Sequence, residues 1–247
     1  MSQDLSKTIQ DERYTRYSGV IDPLLLAKAH CTVIGCGAIG RQVAMQLASM
    51  GVGALTLIDH DKVEPLNLGC QGWSPKDVGQ TKAEALAASC LLANPTMTVK
   101  PLVRKFEPED ARSEGCKYLF SCVDNMDVRK MILESSSPMG TDLFAEGRMT
   151  PEVFQVNFVY DSESREAWLK GWFPQKEAPE QTCSTRTTLH CACAAAAAMV
   201  QGFTKCLRQH VFPYKVDVNL AGFSMSCEWP APEPLAEEVG KAQLVAM

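Results

Sequence analysis

Three glycines, at Gly35, Gly37 and Gly40, form the pattern GxGxxG within the letters GCGAIG. The pattern follows a short β-branched run and precedes an alanine-rich segment, which predicts a tight turn between a buried strand and a helix. In such a turn the first glycine permits the bend, the second lets a phosphate approach backbone N–H groups, and the third lets the helix pack against the strand. The turn predicts a nucleotide site, although a simple tight connection has the same pattern.

Two acids follow the next predicted strand. Asp59 lies 19 residues beyond Gly40, the separation at which an acidic side chain meets a ribose hydroxyl in nucleotide-binding βαβ units. Asp61 is a second acid near the same strand end. Taken alone, Asp59 could merely cap the strand end, and the glycine turn also fits a dinucleotide dehydrogenase. A dehydrogenase would usually continue directly into its next helix, whereas here a polar loop follows.

The elements that must position these residues alternate along the first half of the chain. Apolar periodicity and turn residues predict strands and helices in succession, which favours an open, mostly parallel sheet with ligands at the carboxyl ends of its strands. The predicted elements are helices at 22–30, 39–50, 80–92 and 108–114 and strands at 31–35, 54–59, 96–105 and 117–123.

The second half of the chain has a different pattern. The segments TDLFAEGRM, EVFQVNFVY and REAWLKGWFP predict strands joined by short turns, and a polar loop at 175–189, an alanine-rich helix at about 190–208 and a strand or hairpin within 215–229 follow. We therefore expect an α/β fold, Rossmann-like and three-layered, whose central mixed sheet is parallel in its N-terminal half and antiparallel in its C-terminal half. One domain at 13–229 is expected between a mobile arm at 1–12 and a loosely ordered tail at 230–247.

Composition narrows the class of protein. The chain has 247 residues, of which 46% are hydrophobic and 21% charged, as in a folded soluble enzyme. Its net charge of −5 and lack of a basic cluster argue against a nucleic-acid partner. Eleven scattered cysteines, an odd number, suggest a reducing, cytoplasmic compartment. The polar N-terminus and the short apolar run at 192–200 predict neither a signal peptide nor a membrane span.

Several ordered motifs together resemble one family. The chain resembles the ThiF/MoeB/HesA family, the prokaryotic relatives of ubiquitin-activating enzymes, over about residues 13–227. The matching pieces are RYTR at 13–16, GCGAIG at 35–40, GVGALTLIDHDKVEPLNL at 51–68, GQTK at 79–82, SCVDN at 121–125, and CSTR at 183–186, where the family has its crossover loop.

The resemblance implies ATP-dependent adenylation of a carboxylate, commonly the C-terminus of a ubiquitin-like or sulfur-carrier protein. It also implies that Asn67 and Lys82 contact phosphates and that Asp124 binds Mg²⁺ with the triphosphate, since a hard cation suits carboxylate oxygen. Arg16 matches an arginine that reaches the partner subunit's ATP site, which implies a homodimer. Without the family, Lys82 could be a solvated lysine, Asp124 the N-cap of a helix starting near residue 126, and Arg16 a surface residue.

Two features depart from the family pattern. Many members carry an arginine that contacts phosphates where this chain has Cys70, and a thiol cannot supply the charge or the bidentate donors of a guanidinium. One possibility is that another cation compensates for the missing arginine, and Arg41, near the start of the helix after the glycine turn, is the candidate. The other is that adenylation is weakened or altered. Many relatives also bind structural zinc through CxxC pairs, which this sequence lacks, so no such zinc site is expected.

Cys183, in the polar loop at 175–189, is a candidate acyl acceptor that would receive the activated group as a thioester or acyl-persulfide. The alternative is a loop cysteine without chemistry, since some relatives stop at the adenylate. For the whole chain, the alternatives to a ubiquitin-like or sulfur-carrier substrate are a small-molecule, peptide or tRNA-linked carboxylate, and a nucleotide-binding scaffold that has lost its chemistry. An NAD-dependent dehydrogenase ranks last because it leaves the motifs GQTK and SCVDN unexplained.

Overall fold

A mixed sheet of eight strands forms the centre of the computed structural model, which describes residues 12–16, 19–112, 117–136, 140–178 and 187–230. The strand order is β3-β2-β1-β4-β5-β6-β7-β8. The strands are β1 (His30–Ile34), β2 (Ala54–Ile58), β3 (Thr98–Leu102), β4 (Tyr118–Ser121), β5 (Leu143–Met149), β6 (Val153–Val159), β7 (Lys215–Asn219) and β8 (Ser224–Glu228).

The pairing confirms the expected mixed sheet. Strands β3, β2, β1, β4 and β5 pair in parallel, whereas β5, β6, β7 and β8 pair antiparallel. The chain runs outward from β1 through β2 to β3 and then returns to place β4 on the other side of β1. Such a reversal of strand order opens a crevice at the carboxyl ends of the two strands that flank it.

Helices cover both faces of the sheet. They are α1 (Pro23–Lys28), α2 (Ala38–Met50), α3 (Asn67–Gln71), α4 (Lys82–Ala93), α5 (Met126–Ser135), α6 (Ser162–Lys170) and α7 (Leu189–Leu207), with 3-10 turns at Pro75–Asp77, Pro108–Arg112 and Gln175–Glu177. On one face α2 packs between α4 and α7, while α5 and α6 lie on the other. Within the described helices, none is both long and apolar enough to cross a membrane.

Successive side chains of the central strands point to opposite faces of the sheet, so the core is divided between these two faces. On β1 the side chain of Val33 packs into the core under α2, α4 and α7, and that of Ile34 packs into the core under α5 and α6. On β4, Phe120 and Leu119 divide in the same way, and all four side chains are almost completely buried. A parallel strand covered on both faces needs apolar residues at successive positions, as these strands have.

One predicted strand is wrong. The letters REAWLKGWFP suggest a strand, but most of them belong to α6, which begins at Ser162. The Asp161 carboxylate accepts the N–H of Ser164 at 2.8 Å, and the Ser164 hydroxyl in turn accepts the N–H of Asp161 at 3.1 Å. This capping box starts a helix, and the amphipathic helix then buries Trp168 against the sheet.

Candidate functional site

The glycine turn lies directly after β1, and its three glycines have different surroundings. Gly35 has a φ of +87°, which L side chains rarely adopt, and a Cβ there would lie 2.8 Å from the Cys122 carbonyl oxygen. A Cβ at Gly40 would lie 1.8 Å from the carbonyl oxygen of Gly35, so α2 packs against the turn at this point. At Gly37 the nearest atom to such a Cβ is Nε2 of Gln71, at 3.9 Å. The turn is therefore closed at its first and third glycines and open at its second.

Asp59 joins the glycine turn to the end of β2. Its two carboxylate oxygens accept the N–H of Cys36 at 2.7 Å and the N–H of Asp61 at 2.8 Å, and the residue is only 8% exposed. A carboxylate oxygen accepts more than one hydrogen bond, so ribose hydroxyls can still bind here, as the sequence predicts. Asp59 also fixes the turn itself, a role that the motif alone does not reveal.

Lys82 and Asp61 form an ion pair. Lys82 is the first residue of α4, and its ammonium donates to the Asp61 carboxylate at 2.8 Å, while its backbone N–H donates to the Asp61 carbonyl at the same distance. The hydrogen bond from Lys82 lowers the pKa of Asp61 below its ordinary value. Because the Lys82 side chain is 9% exposed, Lys82 is not the solvated surface lysine that its sequence position alone allows.

Asn67 begins the short helix α3 in the polar loop after β2. It is buried, and its side-chain oxygen accepts the N–H of Glu64 at 3.0 Å, so it closes the turn that leads into the helix. Asp59, His60 and Asp61 bring metal-binding atoms within 4.8 Å of one another. The carboxylate of Asp59 holds two backbone N–H groups and that of Asp61 holds Lys82, so both acids already have structural partners.

Asp124 lies beyond the end of β4. Strand β4 pairs with β1 on the side opposite β2, which is where the strand order reverses. Its side chain is exposed, and its carboxylate forms no hydrogen bond or ion pair with the residues that the structure describes. The alternative that Asp124 caps the following helix is wrong. Asn125 caps α5, because its side-chain oxygen accepts the N–H groups of Asp127 and Val128, each at 3.0 Å.

A buried arginine fixes the backbone next to Asp124. Arg129, on α5, donates to the carbonyl oxygen of Val123 from Nε at 2.9 Å and from Nη2 at 2.6 Å. Its third nitrogen, Nη1, forms an ion pair with the carboxylate of Glu146 on β5, which is completely buried. The arginine thereby connects the segment that carries Asp124 to a strand of the sheet.

Glu146 is the centre of this buried network. Besides Arg129, its carboxylate accepts hydrogen bonds from Arg148 Nε at 2.5 Å, Trp168 Nε1 at 2.6 Å and Asn157 Nδ2 at 3.1 Å. Burial alone would raise the pKa of Glu146, but the charge of Arg129 and the hydrogen bond from Arg148 outweigh that effect, and its pKa lies below the ordinary value. This network could not be found from the sequence motifs, and its one visible signal there is a charged pair inside the apolar letters LFAEGRM.

Arg41 and Cys70 lie on neighbouring elements beside the glycine turn. The Arg41 guanidinium lies over the ring of Trp73, 4.9 Å from its centroid. Cys70, on α3, donates its thiol to the carbonyl oxygen of Leu66 at 3.4 Å. Both positions that the sequence analysis named around the missing arginine are therefore close to the turn.

Arg16 is exposed and belongs to a segment that packs at the other end of the helices. Arg13 donates to the Ala93 carbonyl oxygen and to the Asn94 side chain, at the C-terminal end of α4. The Tyr14 ring lies 2.5 Å from where a Cβ of Gly51 would be, at the C-terminal end of α2. Both helices begin at the edge that carries the glycine turn, so Arg16 is anchored far from it. Cys183 and most of the polar loop around it lie outside the described residues, as do residues 1–11 and 231–247 of the predicted arm and tail.

A glycine turn after β1, a buried acid after β2 and an exposed acid after β4 lie at the strand ends where the strand order reverses, an arrangement typical of the class of nucleotide-binding α/β proteins. The match to known families is more specific. The chain belongs to the ThiF family, whose model matches residues 20–233, and this confirms the resemblance found in the sequence.

Curated relatives are similar over part of their length. Adenylyltransferase and sulfurtransferase MOCS3 of Sus scrofa is 30% identical over 209 residues, which are 81% of this chain and 44% of that protein. Molybdopterin-synthase adenylyltransferase of Salmonella typhimurium is 30% identical, over 53% of this chain and 57% of that protein. tRNA threonylcarbamoyladenosine dehydratase of Escherichia coli is 31% identical, over 53% of this chain and 52% of that protein. The chain thus spans about half the length of these relatives, or less.

Solved structures share the fold at lower identity. The crystal structure of selenomethionine-labelled PaaA has a TM-score of 0.72 at 18% identity and covers 93% of this chain and 74% of that chain. The crystal structure of E. coli MccB with ATP has a TM-score of 0.69 at 18% identity, covering 90% of this chain and 72% of that chain. These similarities confirm the expected three-layer fold.

Proposed function

We propose that this protein is an adenylyltransferase that uses ATP and Mg²⁺ to activate the C-terminal carboxylate of a ubiquitin-like or sulfur-carrier protein. The observation that carries the proposal is the open turn at Gly37, placed between the acids that follow β2 and β4 at the reversal of strand order. Family membership supports it, because relatives are named adenylyltransferases and ubiquitin-like modifier-activating enzymes.

In this reaction a carboxylate oxygen attacks the α-phosphorus of ATP, the bond to the β-phosphate oxygen breaks, and pyrophosphate leaves from an acyl adenylate. A carboxylate is ionised near neutral pH, so the step needs no general base. It needs compensation of the phosphate charge and in-line alignment. We assign the backbone at Gly37 and the side chains of Asn67 and Lys82 to the phosphates and Asp59 to the ribose.

The residues present fit ATP and Mg²⁺. The open space at Gly37 is a place that a Cβ would fill, as backbone approach to a phosphate requires. The exposed Asp124 carboxylate, without a protein partner in the described part of the chain, is a suitable ligand for a hard cation. When bound, Mg²⁺ supplies positive charge against the triphosphate. Arg129 holds the neighbouring carbonyl of Val123 and so fixes the backbone from which Asp124 extends.

The position of Arg16 supports a homodimer in which this residue acts on the partner's nucleotide. Arg13 is tied to the C-terminal end of α4, a helix of 12 residues and therefore roughly 18 Å long, whose first residue is Lys82. Arg16 is three residues further along the chain, within a turn at residues 13–16, so it lies near the end of α4 that is opposite Lys82. A two-fold dimer places the same side chain at the opposite site.

A pyrophosphate-exchange experiment tests the activity. Exchange of labelled pyrophosphate into ATP is measured with candidate ubiquitin-like or sulfur-carrier proteins, for the wild-type chain, Asp124→Ala and Glu134→Ala. Glu134 is an exposed acid at the far end of α5 and serves as the matched control. We expect exchange that depends on the carrier protein, is lost in Asp124→Ala and is kept in Glu134→Ala. ATP binding without exchange for any carboxylate would refute the activity and favour a nucleotide-binding scaffold.

Mixing two inactive variants tests the dimer. In a mixed dimer of Arg16→Ala and Asp124→Ala, one of the two sites has an intact Asp124 and an intact Arg16 from the other subunit. Random exchange of subunits would therefore restore about a quarter of the wild-type activity. No recovery after verified subunit exchange would contradict the composite site.

We further propose Cys183 as the acceptor of the activated acyl group, because its predicted polar loop belongs to the crossover region of the family. A Cys183→Ala variant is expected to form adenylate but no covalent conjugate with the carrier protein, as measured by mass spectrometry. A conjugate yield equal to that of the wild type would refute this role.

A second candidate function is adenylation of a small-molecule, peptide or tRNA-linked carboxylate. The similarity to the E. coli relative named tRNA threonylcarbamoyladenosine dehydratase, at 31% identity, supports this second candidate. Exchange that occurs with a small carboxylate or with tRNA, and not with any carrier protein, would select this alternative.

A further inference from the structure

One cation beside the glycine turn forms no ion pair with a carboxylate of the described residues, although Asp77 lies near it. Lys82 is paired with Asp61, and Arg129 is paired with the buried Glu146. Arg41, in the first turn of α2, forms no ion pair with any carboxylate in the described ranges. A positively charged group that forms no ion pair in the described part of the chain, next to the proposed phosphate site, is available for the phosphates.

The surroundings of Arg41 hold its guanidinium in place and leave one of its nitrogens, Nε, without a hydrogen-bond acceptor among the described residues. The group lies over the Trp73 ring at 4.9 Å, and Nη1 is 3.2 Å from where a Cβ of Gly72 would lie. The Nε atom is itself buried. The nearby Asp77 carboxylate accepts the N–H and the hydroxyl of Ser74 instead, each at 2.9 Å. Burial lowers the pKa of Arg41, and the charge of Asp77 acts in the opposite direction.

A continuous set of contacts connects Arg41 to the open part of the turn. The backbone N–H of Arg41 donates to the Gly37 carbonyl at 3.0 Å. Gln71 places Nε2 3.9 Å from the position of a Cβ at Gly37, and its Oε1 accepts the indole N–H of Trp73 at 3.0 Å. Trp73 in turn lies under the guanidinium. Arg41 is thus connected to the open part of the turn through Trp73 and Gln71.

We propose that Arg41 binds the triphosphate of ATP and that Trp73 positions its guanidinium beside the glycine turn. This inference rests on the proposed function. A guanidinium is suited to the task because it donates bidentate hydrogen bonds to phosphate and remains charged when it is stacked on an aromatic ring. The N-terminus of α2 adds its own favourable field for an anion. Arg41 then supplies the charge that the thiol of Cys70 cannot.

The dissociation constants of ATP and of adenosine test this role. Adenosine carries no phosphate, so a direct contact between Arg41 and phosphates affects ATP alone, whereas a packing defect affects both ligands. For Arg41→Gln we expect ATP binding to weaken by at least about tenfold and adenosine binding to stay within about twofold, since a charge-assisted hydrogen bond is lost. Arg208→Gln, beyond the far end of α7, is the matched control and should bind both ligands as the wild type does.

A second variant adds a rescue measurement, and the Tm of each variant, measured on the same preparations, separates a folding defect from a loss of phosphate contact. Residue 70 precedes Gln71 on the same short helix, so Cys70→Arg adds a guanidinium to the element that lies beside the glycine turn. Added to Arg41→Gln, it should restore most of the ATP affinity. The inference is overturned if Arg41→Gln binds ATP normally, if ATP and adenosine weaken equally, or if Cys70→Arg restores nothing. A wild-type chain that does not bind ATP would overturn the proposed function as well.

Discussion

Gly37→Ala should separate nucleotide binding from folding. At Gly37 the backbone has a φ of −76° and a ψ of −147°, and the added Cβ would meet nothing closer than Nε2 of Gln71 at 3.9 Å. Because alanine requires a shift in ψ but meets no close contact, we expect the free energy of unfolding to fall by about 1 to 2 kcal/mol. The methyl group would fill the space assigned to a phosphate oxygen, and ATP should bind at least about tenfold more weakly, a loss of about 1.4 kcal/mol or more.

Gly40→Ala should have the opposite effect. Its Cβ would lie 1.8 Å from the Gly35 carbonyl oxygen and 3.1 Å from the Cβ of Cys122. The backbone must move by more than an ångström to relieve the first contact, because a carbonyl oxygen cannot rotate away as a side chain can. A cost of about 3 kcal/mol or more follows from such overpacking. For a chain of this size, that cost lowers Tm by about 6 to 12 °C.

The two variants are compared by thermal unfolding and by ATP titration on the same preparations. The expected pattern is weak ATP binding and a slightly reduced Tm for Gly37→Ala, and a strongly reduced Tm for Gly40→Ala. Wild-type ATP affinity in Gly37→Ala would refute the assignment of the open turn to phosphate. A wild-type Tm in Gly40→Ala would refute the packing described between α2 and β1.

Three further changes test the groups around the turn. Glu146 has a lowered pKa in the folded protein because its arginine partners outweigh its burial, so its stabilising contribution is present above the ordinary pKa of 4.5 and is lost as pH falls through the folded-state value. Glu146→Gln should cost about 3 kcal/mol or more at pH 7 and flatten the acid side of the stability curve in urea unfolding; an unchanged acid slope would contradict this. Lys82→Met should weaken ATP binding by about tenfold and raise the pKa of Asp61 towards its ordinary value, measurable by NMR, with Lys82→Arg as the control. Asn125→Ala should lose its cap, about 1 kcal/mol, and lower Tm by about 2 to 4 °C; an unchanged Tm would count against the cap.

Local signals in the sequence were sufficient for the elements around the nucleotide. Helix α2 ends at Gly51, which has a φ of +96° that L side chains rarely adopt. Helix α1 begins with Asp22 as its N-cap and Pro23 at its first position, as predicted. In both cases the residue that ends or begins the helix lies within one helical turn of the boundary that it determines, so the sequence alone predicts the boundary.

The predicted strand at REAWLKGWFP is wrong because the spacing of its apolar residues fits both the two-residue period of a strand and the 3.6-residue period of a helix. The residues that identify the helix precede this segment: Asp161 and Ser164 form two reciprocal hydrogen bonds between side chain and backbone, which cap the N-terminus of α6. These letters, DSES, are visible in the sequence, and giving the capping box more weight than the aromatic residues would have predicted α6.

The pairings inside the site could not be predicted from the sequence. Lys82 and Asp61 are 21 residues apart, and Arg129 and Glu146 are 17 apart. Neither spacing is a helical or strand repeat, so only the three-dimensional packing of the strands and helices brings these charges together. Family resemblance could name Lys82 and Asp124 as site residues, but it could not name the partners that hold them or their neighbours.

The Glu146 network gives the C-terminal half of the sheet a part in the nucleotide site. Glu146 lies on β5, in register with Ser121 at the end of β4, and β5 is the strand where parallel pairing changes to antiparallel. Through Arg129 it fixes the carbonyl of Val123, one residue before Asp124. Because an unpaired buried charge costs several kcal/mol, Arg129 cannot leave Glu146 without destabilising the sheet. The position of the proposed Mg²⁺ ligand is therefore coupled to the packing of the antiparallel half of the sheet, which begins two strands away from β1 and its glycine turn.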